Sequence, residues 1–380
     1  MTQVAWTEKL AEHPLFIPWE DPHTGVRSFV LRPVAGERQK AWYFTRPSVD
    51  ADNAFLWFSI FRPHQTNVYP AAVPLQGDLE KVRLFPHWGQ RGVFDPEDPR
   101  VVYFPVGDRI LRQPVDGPAE EIFRLPKEIL GGRHLFRLVT NPTLTADGKY
   151  FILDSRIGAR WLISLVERET GAFHPLKWFG HEHHHAIASW HDPELFLINQ
   201  GHWTDPMTGQ KEQMDMRIWL MNTTLDRYEP LDPRLWFGRT AMACHEWWTH
   251  SGKVQYCDYK EGIFEHDPET GKGELLWSGE AIHGMSDPGN LYLVRDQGCY
   301  KWNEKTPCRV GFLNRQTGRT VNIVEAMPPQ PVPWRDFRAC HLDPHPHFST
   351  DGSLVIYTTT ALGEPSVAVC PLEELLRHTG

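Results

Sequence analysis

No two cysteines of this sequence stand in a CxxC spacing; the six present, Cys244, Cys257, Cys299, Cys308, Cys340 and Cys370, are scattered. Scattered thiols fit a reduced state better than a disulfide frame, and Cys299 and Cys308 would pair only in an exported chain. The stretch from Met1 to Pro14 lacks the apolar core of a signal peptide, and no window approaches about 18 uninterrupted apolar residues. No membrane segment is expected, and the cytoplasm is the expected location. A basic run is missing too. With a formal net charge of −9, the chain has no footprint for nucleic acid, whereas a small acidic ligand needs only local cations. Amphipathic helical periodicity is scarce, confined to the N-terminus and to Pro371 through His378.

What is abundant is turn chemistry between β-rich runs. The unit recurs as TLTADGKYFILDS (143–155), IASWHDPELFLIN (187–199), WWTHSGKVQYCDY (247–259), GMSDPGNLYLVRD (284–296) and HFSTDGSLVIYTT (347–359), with a weaker copy, GVFDPEDPRVVYF, at 92–104. Each reads as a tight turn feeding a half-buried strand. Further turns carrying Thr-Gly, HDPETGKGE (266–274) and NRQTGRTVN (314–322), follow two of these units. Sheets of about four strands repeating every ~40 to 60 residues predict an all-β, seven-bladed β-propeller forming one domain over residues 1–380. A β-sandwich pair or a β-helix is the alternative.

In a propeller the innermost strands line a central channel, so matching repeat positions converge in space. Aligned on the turns, His185 lies seven residues before Asp192, His245 seven before Gly252, His283 six before Gly289 and His347 five before Gly352. Imidazole serves both transition-metal binding and proton transfer near neutral pH, so a histidine ring is a site hypothesis. In His345-Pro346-His347 the two histidines share a strand face and suit one ion. Within HEHHH (181–185), His184 and His185 fall nearest the repeat register, and His181 and His183 read as surface residues. Arg217, in MDMRIWLMN (214–222), offers a two-pronged grip on a carboxylate. Trp203, Trp247 and Trp248 are candidates for stacking on sugar faces, although most of the 16 tryptophans belong between blades.

The stretch TAMACHEWWTHSGKVQYCDY resembles the segment of oligogalacturonate lyases in which a Thr/Cys-His-Glu-Phe/Trp-Trp motif precedes a strand. MDMRIWLMN extends the resemblance upstream. Downstream, IHGMSDPGNLYLVRD is similar to the family's Ser-His-x-x-Ser segment and HPHFSTDGSLVIYTT to its His-Pro-His-Pro-Ser-Phe strand; together the motifs span about 184 to 360. The resemblance implies a seven-bladed propeller that cleaves short pectin-derived oligogalacturonates by β-elimination with a divalent ion, commonly manganese. It makes His245 the general base, Arg217 the substrate-binding arginine, and His283, His345 and His347 the metal histidines. His184, His185 and His202 are expected as further substrate contacts, with His185 or His184 second in line as base. One departure is specific: the family places a glutamine ligand where this chain has Leu342. Either His341 moves in, water completes the shell, or the site is altered; four nitrogen ligands would favour zinc or another later transition metal. Tyr256 and Tyr259 are possible acids for the leaving oxygen. Two other classes stay open: a non-catalytic, sugar-binding or interaction propeller, and a hydrolase using carboxylates among Asp258, Asp287 and Asp296.

Overall fold

The computed structural model describes residues 5–34, 38–61, 68–87, 89, 91–201, 203–205, 207–212, 217–232, 243–299, 307–329 and 342–380. His202 and His341 lie outside them, as does the side chain of Trp203. Among the described residues the strands form seven antiparallel sheets of four or five strands, the blades of a seven-bladed β-propeller, and one added hairpin, Trp203–Thr204 with Lys211–Glu212. The recurring turn units join the first strand of a blade to the second. In the unit at 187–199, for instance, His183–Ala188 pairs with Leu195–Gln200. The Thr-Gly turns join third strands to fourth strands, as between Cys308–Asn314 and Arg319–Met327. In another of these turns Gly171 has φ +70°, and a Cβ there would meet the Ile122 carbonyl oxygen at 2.5 Å, so both backbone angle and space demand glycine.

The chain divides into two compact units. The first, Met1–Arg91 with Trp277–Gly380, holds the sheet built on Phe55–Phe61, the sheet from Gly284–Ser286 to Arg319–Met327, and a five-stranded sheet joining the ends of the chain. In that last sheet Arg27–Leu31 pairs with Ser366–Pro371. Its core gathers Phe29, Leu31, Leu56, Phe58, Ile356 and Val367, with the helix Trp6–Glu12 contributing Trp6 and Leu10. The second unit, Gly92–Leu276, stacks its sheets through apolar layers such as Tyr103, Phe123, Phe151 and Leu162 and Phe179, Phe196, Ile198 and Met221. Central strands such as Phe55–Phe61 are buried on both faces. They read as continuous apolar runs rather than alternation, as strands buried on both faces do.

Polar pegs fix neighbouring blades within each unit. Asp154 accepts the N–H of Thr140 at 2.6 Å and that of Ala186 at 3.5 Å. Asp296, at the same place in its own blade, accepts those of His283 at 2.8 Å and His345 at 3.1 Å. Thr358 repeats the device, its hydroxyl accepting from the Ala41 N–H at 3.1 Å. A buried side-chain acceptor shared between backbone donors satisfies amides that the twisted inner strands leave open.

Candidate active site

Seven equivalent positions follow from one backbone hydrogen bond. In each blade the N–H that closes the first strand donates across the turn: Asp50 to Phe55, Asp95 to Val101, Thr145 to Tyr150, Ser189 to Leu195, Thr249 to Lys253, Asp287 to Tyr292 and Ser349 to Leu354. Four residues before these donors stand Arg46, Arg91, Asn141, His185, His245, His283 and His345. His345, rather than His347, therefore shares the register of the other three histidines. Three of the four are also strained alike, with φ of 56° at His185, 53° at His245 and 47° at His345. Positive φ is uncommon for a non-glycine residue, and its recurrence at one register makes the position a candidate for function.

In the first unit His283 and His345 pack with ring centroids 4.3 Å apart. Ligand atoms of His283, Asp343 and His345 lie within 4.8 Å of one another, and all three residues are buried. His283 Nδ1 is 2.9 Å from Asp296 Oδ2, which leaves Nε2 as its ligand atom and fixes the ring's orientation, as outer-shell carboxylates do for metal-binding histidines. Burial works against protonation of His283, but Asp296 and Asp343 outweigh it and its pKa is raised. A second grouping, His283, Asp296 and Cys299, is a poorer donor set. Burial first, and then Asp296, holds the Cys299 thiol well above its ordinary range, where it stays protonated.

Asp343 is the residue that sequence reasoning missed. Leu342, at the expected glutamine position, is fully buried, and the next residue brings an oxygen to the two imidazoles. A mixed nitrogen and oxygen set suits manganese as well as zinc. His347 is not drawn into this group. Its Nδ1 meets the His345 carbonyl at 2.9 Å and its Nε2 the Ser48 hydroxyl at 2.7 Å, so the ring is neutral with Nδ1 protonated. Burial lowers its pKa to about 4, against the pull of the His345 carbonyl.

In the second unit His245 lies 5.5 Å from the Tyr259 ring, which favours Tyr259 over Tyr256; the latter is core, stacked on Phe264. Its neighbour Glu246 is fully buried and receives the Asn199 amide at 3.1 Å, and the same amide reaches His185 Nδ1 at 3.2 Å. Burial raises the Glu246 pKa, while the Arg217 charge and the Asn199 amide oppose the rise. Arg217, on the lead-in to Ile218–Asn222, is thus electrostatically tied to the residue after His245. His184 and His185 meet edge to face at 4.5 Å, with His184 3.8 Å from Glu182.

Several expectations are corrected. His183 is no surface residue: it is fully buried, stacked 3.5 Å from Phe179, and bonded to Tyr228 Oη at 2.9 Å. Trp247 and Trp248 are core, the latter donating its indole N–H to the Ile187 carbonyl at 3.0 Å, so neither presents a face to a sugar. The carboxylates of the hydrolase alternative are engaged with backbone N–H groups. Asp258 caps Lys260 and Glu261, Asp287 caps Gly289, Leu291 and Tyr292, and Asp296 is the peg described above.

Among solved structures, an oligogalacturonate lyase in complex with manganese superposes with a TM-score of 0.73 at 17% identity, covering 94% of this chain and 96% of that one. This is the fold of the oligogalacturonate lyases. The corresponding enzyme of Vibrio parahaemolyticus gives a TM-score of 0.75 at 16% identity with the same coverage, and a streptogramin B lyase gives 0.53 at 11% over 88% of this chain and 95% of that one. No family model matches the sequence, and no curated protein matches it.

Proposed function

We propose that this chain is a metal-dependent lyase that cleaves uronate-containing oligosaccharides by β-elimination, leaving a 4,5-unsaturated uronate. The observation that carries the reading is the buried His283–Asp343–His345 group on an oligogalacturonate lyase fold. In this reading it holds a divalent ion, manganese by resemblance, with His347 and His341 as further ligands. The fit rests on donor chemistry: two imidazoles and a carboxylate with ligand atoms within 4.8 Å, and an outer carboxylate, Asp296, on one imidazole.

The reaction's difficulty is the charge that develops beside a carboxylate when C5 loses its proton. A divalent ion held by His283, Asp343 and His345 would supply positive charge to offset it, a contribution of several kcal/mol. His245, outside the ligand group, takes the C5 proton as general base. Arg217 binds the substrate carboxylate in two-pronged fashion and stabilises the developing charge, Glu246 orienting it. Tyr259, the aromatic neighbour of His245, stands ready to return a proton to the departing 4-oxygen. His184, His185 and His202 complete the sugar contacts.

The five described cysteines are buried and form no disulfide with one another, and no helix of the described residues is long and apolar enough to cross a membrane. A cytoplasmic location is part of this proposal. The decisive experiment is a screen of uronate oligosaccharides for the ultraviolet absorbance of the new double bond, with and without chelator. Absorbance that appears with a uronate oligomer and vanishes with chelator is expected; none from any uronate, with metal bound, would overturn the lyase reading.

A further inference from the structure

In a chain of formal net charge −9, the segments 131–137, 155–161 and 176–181 carry Arg133, Arg137, Arg156, Arg160 and Lys177 and no Asp or Glu. All three lie at one end of the sheet Leu135–Arg137, Tyr150–Ile157, Arg160–Glu167 and Phe173–Phe179, opposite its 145–150 turn. The pairing register singles out two of these cations. Arg137 stands directly opposite Arg156, Arg156 opposite Trp161 and Trp161 opposite Phe179, so the four side chains share one face of the sheet. The ladder shifts at Phe136, whose ring is 57% exposed. Arg156 lies between that ring and Trp161, its guanidinium carbon 4.8 Å and 5.3 Å from the two centroids. Arg137 is half-buried, and its Nε and Nη2 find no hydrogen-bond partner among the described residues. Its charge acts on Asp154, two residues before Arg156 on the same face, but that carboxylate is already taken by the backbone N–H groups of Thr140 and Ala186.

We propose that Arg137 and Arg156 bind a phosphoryl dianion, as free phosphate or as the phosphate of a small monoester. The site is independent of the elimination chemistry proposed above. Two like charges set directly opposite each other on neighbouring strands repel, and Asp154 offsets only one of them. A dianion answers both. Its tetrahedral oxygens accept from two guanidinium forks that approach from different strands, whereas a planar carboxylate offers one two-oxygen edge to one fork. Stacking between Phe136 and Trp161 holds the plane of Arg156 and leaves its N–H edge for the ligand. Arg133, Arg160 and Lys177 add a local positive field, which draws a small anion to an otherwise acidic protein.

The test is calorimetry on the full-length, metal-loaded protein at about 0.15 M ionic strength, where scattered surface charges are screened. The probes are inorganic phosphate, glycerol phosphate, glycerol and galacturonate. Arg137→Gln and Arg156→Gln should each weaken binding of the phosphates by about tenfold or more, the loss expected for one charge-assisted fork, with metal content unchanged. Arg160→Gln, on the same edge but outside the pair, should leave the affinity close to that of the wild type, and glycerol should not bind. Arg156 is exposed, so its variant carries the test if Arg137→Gln folds poorly. Tighter binding of glycerol phosphate than of inorganic phosphate assigns the site to a monoester, and the reverse to the free ion. The proposal is overturned if no phosphate binding responds to Arg156→Gln, or if Arg160→Gln loses as much. Arg156-dependent binding of galacturonate as tight as that of either phosphate also overturns it, and would make the pair a carboxylate site.

Discussion

His283 Nδ1 lies 2.9 Å from Asp296 Oδ2, and the same carboxylate accepts the backbone N–H of His283 and of His345. One side chain thus sets both the ring and the main chain of the ligand group. Asp296→Asn keeps the volume but not the charge, and metal affinity should fall by about 10- to 100-fold, with a lower melting temperature. Metal titration followed by thermal unfolding checks both; unchanged affinity would remove Asp296 from the site.

Asp343 gives the group its oxygen. Asp343→Asn should weaken manganese binding more than zinc binding, because a neutral amide oxygen is a poorer partner for the harder ion. Competition between the two metals, read by elemental analysis after dialysis, measures the shift. Equal losses for both ions would mean that Asp343 does not set metal preference.

The roles of His245 and Arg217 differ in what each variant should leave intact. His245→Ala should keep metal and melting temperature while turnover drops by roughly 10²- to 10⁴-fold. Arg217→Lys should raise KM as well as lower kcat, since the charge survives but the two-pronged grip does not. Loss of metal in His245→Ala would make His245 a ligand and return the role of base to His185.

His347 faces Ser48 in this structure, and the proposal makes it a ligand. Ser48→Ala releases Nε2 from its hydroxyl partner, so metal affinity should hold or rise, whereas His347→Ala should lower it. A fall in both variants would instead make the Ser48–His347 pair a structural strut.

The buried His183 provides a pH signature apart from catalysis. Burial depresses its pKa to about 3, far below the unfolded value of 6.5, despite the help of the His181 carbonyl. Between those values the unfolded chain binds the extra proton, so stability is full above pH 6.5 and declines as the pH falls towards 3. The melting temperature of the wild-type chain should therefore drop faster between pH 6.5 and 4 than that of His183→Gln. Parallel curves would show that His183 is not a source of acid sensitivity.

Much of the propeller was legible because its turns are chemically loud. DG, DP and SG between apolar runs announce the hairpins at 143–155, 187–199 and 247–259. The hairpin leading into Phe55–Phe61 escaped notice because its turn has no glycine or proline; Asn53 takes the left-handed conformation there, with φ 52°. The histidine register was half legible. Alignment on turn glycines slips with turn length, which differs between Ser189–Leu195, Thr249–Lys253 and Asp287–Tyr292, and the slip put His347 where His345 belongs. Arg46, Arg91 and Asn141 stayed hidden because a search for recurring histidine passes over them. Asp343 had no signal at all: before a proline it reads as an ordinary turn residue, and only the fold carries it to His283.

The pairing of Arg27–Leu31 with Ser366–Pro371 has a consequence for how the molecule is made. During synthesis the strands Phe16–Glu20 and Arg27–Leu31 can form only their own hairpin; their remaining edge has no native partner until more than 330 residues have followed. An exposed hairpin edge is a template for pairing with the wrong chain. The helix Trp6–Glu12, with Trp6 and Leu10 buried, depends on the same late arrival, for its cluster includes Leu354, Ile356, Val367 and Val369. Ribosome-bound chains truncated before residue 354 should therefore be vulnerable to proteases at their amino end, while the middle blades are already protected.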